Sequence, residues 1–415
     1  MDGPASVTVV SGVVEVFDSL VESKGKVVIR EGKRLPFTAK ETATLEISLG
    51  ENASIEEVDE STIPLSWTEA YEQLLNFQNK PVVAMVIGTV DSGKTSFCTY
   101  LTNKLLHEKQ KVAILDGDLG QSDIGPPCTV AYTYITKSVT DLFNLEAKNA
   151  FFIGVTSPST AINKVIKGLT SLKKEILDTD PDFIVINTDG WVEGEDAVNY
   201  KVQLAKELNS EIIFCIQQKD ELTPLLNSLE GFKKIVVESP SAIKQRSREK
   251  RRSLRELGYI KYLKNAKVQS LPIGWLKIEA NEFLGLSTHH GDMKQARKVY
   301  DFLGMKPLHF AELKDRVYMV IGRSCWINDE KIKKLEEILG KKIVVIRKGE
   351  EEGLLVALYN NDRKFLGIGV LREIDYSRKT LKIFTPVSEG ISIVALGRVK
   401  LDKNLKETPA FAEEA

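Results

Sequence analysis

Hydrophobic residues in the middle of the chain form short runs that alternate with longer segments of helical periodicity. The runs of strand length span residues 82–87, 111–115, 149–155, 183–187, 211–216 and 233–237. Helical patterns lie between most of them, for example over 94–108 and 161–177. Strands that alternate with helices are typical of a parallel sheet with helices on both faces. The pattern predicts an α/β domain with a mostly parallel central sheet over residues 79–288.

Both ends of the chain show short valine-rich or isoleucine-rich runs between turn residues, which is typical of β-structure. Residues 1–78 contain runs at 7–16, 26–29 and 41–49, an acidic segment at 51–60 and a helical pattern at 67–78. After a helical pattern at 293–303, the other end has runs at 317–321, 342–346, 354–359, 365–370, 380–384 and 391–396. We therefore predict a β-rich N-terminal domain over 1–78 and a β-rich C-terminal domain over 289–415.

Composition limits the classes of protein that this chain can be. Its 415 residues are 42% hydrophobic, and 57 basic against 58 acidic residues give a net charge of -1. A protein that coats nucleic acid through overall positive charge is excluded, so any site for a polyanion must be local. The apolar run at 81–90 is too short to span a bilayer. The start lacks a signal-peptide pattern and the four cysteines form no CxxC pair. We expect a cytoplasmic protein without membrane association.

The segment Gly88-Thr-Val-Asp-Ser-Gly93-Lys94-Thr95 fits the phosphate-loop pattern GxxxxGK[ST] at every fixed position. It follows a buried strand pattern and begins a helical one, which is the context that the motif requires. Main-chain N–H groups and the helix N-terminus would form an anion site, with Lys94 at the phosphates and Thr95 at Mg²⁺. The residues predicted to hold the nucleotide are Gly88, Thr89, Val90, Asp91, Ser92, Gly93, Lys94, Thr95 and Ser96.

An acidic motif, Asp116-Gly-Asp118, follows the next predicted strand. A carboxylate beside a phosphate loop either holds Mg²⁺ or accepts the proton of an attacking hydroxyl. Because the two side chains alternate in direction on an extended chain, only one is expected to face the phosphates, and we favour Asp118. Asp189, at the end of the strand at 183–187, is a rival for the metal. The guanine-binding pattern Asn-Lys-x-Asp is absent, because Gln217-Gln-Lys-Asp220 lacks the asparagine.

Three further features each admit more than one interpretation. The segment 244–255 carries seven cations against one acid. It is a solvated basic face, a basic helix that closes over the transferred phosphate, or a contact for polynucleotide phosphates. Trp191 lies in a polar loop, where it either packs between domains or stacks on a nucleobase. Thr156 follows a strand end, where its hydroxyl either bonds a phosphate or caps the next helix.

Four motifs occur in one order: the phosphate loop at 88–95, Asp116-Gly-Asp-Leu-Gly-Gln121, Thr188-Asp-Gly-Trp191 and Arg246-x-x-x-x-Arg251. As a set they resemble the polynucleotide 5′-hydroxyl kinase family, which includes the kinase subunit of the pre-mRNA cleavage complex and the pre-rRNA processing kinases. The resemblance is strongest across roughly 80–285 and indicates a compact member of archaeal type. In this family, a β-rich N-terminal domain and a C-terminal domain flank the kinase core.

The resemblance implies a role for each matching residue. Lys94 matches the phosphate-binding lysine, and Thr95 matches the residue whose hydroxyl ligates Mg²⁺. Asp118 matches the carboxylate that activates the 5′-hydroxyl, and we also expect it to hold the metal. Arg246 and Arg251 match lid arginines over the transferred phosphate. The residues that match the acceptor side are Gln121, Thr156, Thr188, Gly190 and Trp191. Among these, Thr188, Gly190 and Trp191 match a clasp in which the tryptophan stacks on the terminal base.

The expected activity is therefore ATP-dependent phosphorylation of the 5′-hydroxyl end of a polynucleotide. RNA with a free 5′-hydroxyl, single-stranded or at a duplex end, is the expected partner, and DNA is the alternative. ATP with Mg²⁺ is the expected donor, and other nucleoside triphosphates are not excluded by the sequence. Two other classes stay open: an ATP-binding scaffold of an RNA-processing complex without kinase activity, and an ATPase or small-molecule kinase. The sequence gives no indication of the oligomeric state.

Overall fold

The computed structural model describes residues 1–279, 293–312 and 315–409. Two units, Met1–Gly258 and Tyr259–Ala415, each have their own hydrophobic cores. The predicted boundary between residues 288 and 289 lies outside the described residues. Among the described residues, no helix combines the length and the apolar character that crossing a membrane requires.

The first unit contains twelve strands, five complete helices and the larger part of a sixth helix, which extends past residue 258. The strands are β1 (Ala5–Ser11), β2 (Val14–Val16), β3 (Ser19–Val21), β4 (Lys26–Ile29), β5 (Thr44–Leu49), β6 (Val82–Gly88), β7 (Val112–Asp116), β8 (Thr129–Ile135), β9 (Asn149–Phe152), β10 (Phe183–Asn187), β11 (Ile212–Gln217) and β12 (Lys233–Glu238). The helices are α1 (Leu65–Leu75), α2 (Lys94–His107), α3 (Ile162–Leu177), α4 (Glu195–Glu207), α5 (Thr223–Ser228) and α6 (Arg248–Tyr262).

A seven-stranded sheet in the order β12-β11-β6-β10-β7-β8-β9 forms the centre of this unit. The five strands from β12 to β7 run parallel, and β8 and β9 add to one side in antiparallel pairing. Every residue of β6, β7 and β10 is buried, because helices cover both faces of the sheet. The predicted α/β fold with a mostly parallel sheet is confirmed.

The strand order explains why three loops meet at one edge of the sheet. Strand β10 lies between β6 and β7, in parallel register with both, and Asn187 at its end pairs with Asp116. The segments that follow β6, β7 and β10 therefore leave the sheet side by side at its carboxyl edge. Ligands of open parallel sheets bind at this edge.

The N-terminal residues form the predicted β-structure. Strands β4, β1 and β5 make an antiparallel sheet, and β2 pairs with β3. Helix α1 follows and buries Trp67, whose indole N–H donates to the carbonyl of Glu238 at 2.9 Å. This bond joins α1 to the end of the central sheet, within the same unit. The domain boundary at residue 78 stays a prediction.

The predicted basic helix is shorter at its start than the charge pattern indicates. Helix α6 begins at Arg248, after Ser247, whose hydroxyl accepts from the N–H of Lys250 and whose carbonyl accepts from that of Arg251. The prediction of a basic helix over 244–255 is therefore wrong for Arg246. Its main-chain N–H donates to a side chain of the phosphate loop, so residue 246 lies in the loop before the helix.

The second unit is β-rich, as predicted, and also contains helices α7 (Met293–Leu303) and α8 (Asp329–Leu339). Its strands are β13 (Lys267–Pro272), β14 (Lys277–Glu279), β15 (His309–Glu312), β16 (Arg316–Ile321), β17 (Lys342–Arg347), β18 (Leu354–Tyr359), β19 (Phe365–Asp375), β20 (Thr380–Thr385), β21 (Ile393–Leu401) and β22 (Glu407–Thr408). A sheet in the order β13-β20-β19-β18-β21-β14 is the larger of two, and β15-β16-β17 form the smaller. Helix α8 was not predicted.

Candidate active site

The phosphate loop connects β6 to α2 through two residues in the left-handed region, Asp91 with φ 58° and Gly93 with φ 99°. A Cβ added to Gly88 would lie 2.7 Å from the carbonyl oxygen of Ile216, so only glycine fits there. Lys94 is buried, and its Nζ donates to the carbonyl of Thr89 at 2.6 Å across the loop. Burial lowers the pKa of Lys94, and the charge of Asp118 is the largest opposing effect.

This loop fits the phosphates of a nucleotide. Helix α2 begins without a side-chain cap and without an acidic residue in its first turn, so its N–H groups and partial positive charge are available to an anion. The buried hydroxyl of Ser92 has no hydrogen-bond partner among the described residues. An unpaired buried polar group is costly unless a ligand or water satisfies it.

Asp116 organises the acidic motif and does not face the cleft. It is fully buried, and its oxygens accept hydrogen bonds from the main-chain N–H groups of Asp118, Asp123 and Ile124, the hydroxyl of Ser122 and the amide of Asn187. Burial raises the pKa of Asp116 to about 7, with the charges of Asp118 and Asp123 next in effect. Five donors around one carboxylate show that this side chain closes the loop after β7.

Asp118 lies on the cleft side of the same loop. Its Oδ1 accepts from the N–H groups of Gly120 at 3.0 Å and Gln121 at 2.9 Å, which fixes the orientation of the carboxylate. Burial raises its pKa, and Lys94 is the largest opposing charge. The placement of Asp116 and Asp118 agrees with the alternation on which the choice of Asp118 depended.

Asp189 has buried partners that the sequence did not indicate. Lys201 of α4, which is fully buried, donates from Nζ to Asp189 Oδ2 at 2.8 Å and to the Asp189 carbonyl at 2.9 Å. The hydroxyl of Tyr200 donates to the same Oδ2 at 3.0 Å, and the N–H of Trp191 donates to Oδ1 at 3.0 Å. Both oxygens of this rival carboxylate are thus already bonded within the protein.

A usable signal for Lys201 exists in the sequence of α4. The buried positions of this helix are Ala197, Tyr200, Lys201, Leu204 and Ala205. Their spacing is that of an apolar helical face, so a lysine among them requires a buried counter-charge. Lys206 of the same helix is exposed, in contrast.

The segment 188–191 approaches the phosphate loop closely. A Cβ at Gly190 would lie 2.7 Å from the main-chain nitrogen of Val90. The main chains of the two loops therefore approach so closely that only glycine fits at residue 190. The half-buried ring of Trp191 stacks on Tyr200, with centroids 5.8 Å apart and planes at 25°. Thr188 is buried, and its hydroxyl donates to the carbonyl of Val86 at 2.8 Å. That bond ties the segment to β6.

Substitution of Gly190 by alanine tests this close approach. The added methyl group would collide with the main chain at Val90, so the phosphate loop or the segment with Trp191 must move. We expect kcat/KM for phosphoryl transfer to fall about 100-fold, because misplacement by about 1 Å at a reacting site costs that much. Steady-state kinetics would measure it. Gly274→Ala is the control, since a Cβ there has open space among the described residues; equal rates for both variants would refute the steric argument.

Arg246 and Arg251, the two predicted lid residues, both contact Asp91 of the phosphate loop. Arg246 Nη1 lies 2.9 Å from Asp91 Oδ1, and Arg251 Nη1 lies 3.5 Å from Oδ2. Arg246 also donates to Gln121 Oε1 at 3.0 Å and, from Nε, to the carbonyl of Gly32 at 2.7 Å. One guanidinium thus joins the phosphate loop, the acidic motif and the N-terminal residues.

One cleft of about 1340 Å³ collects these side chains. Its lining includes, from the predicted site, Thr89, Val90, Asp91, Ser92, Gly93, Lys94, Thr95, Ser96, Asp118, Gln121, Thr156, Gly190, Trp191, Arg246 and Arg251. Gly88, the last residue of β6, and Thr188, the first residue after β10, are not among the lining residues. Apolar residues near the N-terminus, among them Leu35, Phe37 and Ile47, also line the cleft and were not predicted.

Thr95 and Asp118 are the two residues predicted to hold Mg²⁺ in this cleft. Within the described ranges, no three histidine, cysteine or acidic side chains are grouped so that they could hold a metal ion. Thr95 and Asp118 both line the cleft. One or two protein oxygens plus phosphate oxygens and water are the usual ligands of Mg²⁺ at phosphate sites, so this pair fits the ion.

Comparisons with known proteins agree with this geometry. The profile of the family described as the mRNA cleavage and polyadenylation factor CLP1 P-loop matches residues 88–265. The polyribonucleotide 5′-hydroxyl-kinase of Methanocaldococcus jannaschii is 27% identical over 341 residues, which cover 79% of this chain and 89% of that protein. The enzyme of the same name from Pyrococcus furiosus is 27% identical over 357 residues, covering 85% of this chain and 97% of that protein.

The fold is shared with a solved structure as well. Clp1p, in its complex with Pcf11p, matches with a TM-score of 0.63 at 13% identity, covering 96% of this chain and 94% of that one. At this identity the likeness concerns the fold alone. The matching profile and the archaeal relatives confirm the resemblance that the four motifs indicated. Residues 88–265 thus match the CLP1 P-loop, and over most of its length the chain is similar to proteins named polyribonucleotide 5′-hydroxyl-kinase.

Proposed function

We propose that this protein transfers the γ-phosphoryl group of ATP to the 5′-hydroxyl end of a polynucleotide, RNA in the first place. The observation that carries the proposal is the single cleft that holds the phosphate loop, Asp118, Trp191 and two lid arginines together. Archaeal relatives that align over most of their length carry the name polyribonucleotide 5′-hydroxyl-kinase. A nucleoside triphosphate site alone would not require the aromatic and basic residues on the acceptor side.

On the donor side, the chain binds and neutralises the phosphates. Lys94 Nζ donates to the main-chain carbonyl of Thr89, and a phosphate oxygen can replace that carbonyl as its acceptor. Arg246 and Arg251 supply positive charge above the loop, where charge on the γ-phosphate oxygens is stabilised in the transition state. Thr95 and Asp118 are the residues that would hold Mg²⁺, and the ion would neutralise negative charge on the phosphates.

On the acceptor side, Asp118 takes the proton of the attacking 5′-hydroxyl. The oxygen of that hydroxyl forms a bond to the γ-phosphorus while the bond from this phosphorus to the β–γ bridging oxygen breaks, and ADP leaves. A raised pKa makes Asp118 a better proton acceptor than an ordinary aspartate. Gln121, Thr156, Gly190 and Trp191 line the part of the cleft that receives the strand end, with Trp191 as the stacking surface.

A radiolabel transfer assay tests the function. The full chain is incubated with γ-labelled ATP or GTP, Mg²⁺ and oligonucleotides of RNA or DNA that end in a 5′-hydroxyl or a 5′-phosphate. We expect label only on 5′-hydroxyl ends, with RNA preferred, and ATP consumption that depends on the oligonucleotide. Bound ATP without transfer would instead support the scaffold, and transfer to free nucleosides would support a small-molecule kinase.

A further inference from the structure

The buried cluster of Asp189, Tyr200 and Lys201 lies directly behind Trp191. Lys201 Nζ contacts both the carboxylate and the carbonyl of Asp189, at 2.8 and 2.9 Å, and its side chain is 0% exposed. The same carboxylate accepts from the Trp191 N–H on one oxygen and from the Tyr200 hydroxyl on the other. Tyr200 in turn provides the ring on which the Trp191 indole stacks.

These contacts make the orientation of Trp191 depend on Lys201. Asp189 fixes the main chain of Trp191 through its N–H and fixes the Tyr200 ring through its hydroxyl. Asp189 keeps both bonds only while its carboxylate stays in place, and a buried carboxylate needs a counter-charge. Lys201 is the cation that contacts it among the described residues. The lysine therefore acts on Trp191 through two routes, one along the main chain and one through the stacked ring.

The cluster also lies close to the groups that handle the phosphates. Asp118 and Lys94 both interact electrostatically with it: Asp118 acts on Lys201, and Lys201 acts on Lys94. Burial lowers the pKa of Lys201, while Asp189 is the largest opposing charge. The pair of Lys201 and Asp189 adds no net charge beside Asp118 and Lys94. This arrangement therefore favours a role of Lys201 in aligning the acceptor strand, with no effect on the binding of ATP.

We infer that Lys201 is a positioning residue for the acceptor: by holding Asp189, it sets the Trp191 ring in the orientation that receives the terminal nucleotide of the strand. The inference rests on the proposed function, since it assumes a polynucleotide end at Trp191. It also assigns Asp189 to this support and not to the metal.

The test compares Lys201→Met with Trp191→Phe and with the double variant. Lys201→Met is expected to raise the KM for a 5′-hydroxyl RNA oligonucleotide about tenfold, the scale of one lost base-stacking contact. The affinity for ATP, measured by displacement of a fluorescent nucleotide, is expected to stay within about twofold. If Lys201 acts through Trp191, the double variant is no worse than Trp191→Phe, because coupled residues are not additive. Lys206→Met, an exposed lysine of the same helix, is the control.

A folding defect is separated from this role by a second variant. Breaking a buried ion pair at one partner destabilises a protein, whereas replacing both partners by neutral groups is often tolerated. Asp189→Asn with Lys201→Met should therefore restore the melting temperature, keep the ATP affinity within about twofold of wild type and leave the oligonucleotide KM raised. The inference is overturned if the effects of Lys201→Met and Trp191→Phe simply add, or if ATP affinity falls as much as oligonucleotide affinity. Failure of the wild-type chain to phosphorylate any 5′-hydroxyl end would instead refute the proposed function.

Discussion

Replacement of Lys94 by alanine is expected to reduce γ-phosphoryl transfer about 1,000-fold or more. The side chain is buried in the phosphate loop, where its Nζ donates to the carbonyl of Thr89 at 2.6 Å. A buried ammonium so placed gains most when phosphate oxygens contact it, and it gains more as negative charge develops on them in the transition state. Without the lysine, the negative charge on the phosphate oxygens is stabilised by Arg246, Arg251 and the N-terminus of α2 alone.

The measurement for Lys94→Ala is label transfer from γ-labelled ATP to a 5′-hydroxyl oligonucleotide under single-turnover conditions. Single turnover separates the chemical step from product release. Lys137→Ala, which removes an exposed lysine of the same unit, is the control and should keep the wild-type rate. Transfer by Lys94→Ala at more than a tenth of the wild-type rate would show that the loop is not the donor site.

Local signals in the sequence predicted the strand and the helix on either side of the phosphate loop correctly. The strand expected at 82–87 is observed at Val82–Gly88, and the helix expected at 94–108 is observed at Lys94–His107. Three local signals lie between residues 82 and 107. They are an apolar run, glycines that must adopt positive φ or avoid a clash, and a helical period. Each of these properties is decided by neighbours along the chain, so the sequence contains them.

Other features depend on contacts that no local pattern contains. Strand β8, Thr129–Ile135, was missed because its threonines and tyrosines weaken the apolar run and because it joins the sheet in antiparallel pairing after a turn. The start of α6 was misplaced because Asp91, 155 residues away in sequence, takes the N–H of Arg246. Distant partners of this kind decide where a helix begins.

The partners of Asp189 show the same limit in the site itself. The position of an acid at the end of β10 suggested a metal ligand, but Lys201 and Tyr200 of the following helix occupy it. Lys201 lies on the apolar face of α4, which is unusual for a lysine and can be seen in the sequence. That observation predicts a buried acidic partner but does not identify it. Which acid it meets depends on how α4 packs on the sheet.

Asp118→Asn is expected to lower transfer by a factor of about 100 to 10,000 while nucleotide binding is retained. General bases contribute within this range, and asparagine keeps the size of the side chain and an oxygen that the N–H groups of Gly120 and Gln121 can bond. Because Asp118 is also proposed to hold Mg²⁺, the affinity for Mg²⁺ should be measured alongside the rate. Asp178→Asn, at an exposed carboxylate of the same unit, is the control.

The pH dependence identifies the base. Asp118 accepts a proton only when ionised, so the rate must fall as the pH drops through its pKa. Burial raises that pKa, and Lys94 only partly opposes the effect, so this fall begins at a higher pH than for an ordinary aspartate. The residual rate of Asp118→Asn should no longer show this fall at low pH, which is the acidic limb of the pH profile. A limb that persists in the variant belongs to another group, for which Asp116 is the candidate, since burial raises its pKa to about 7.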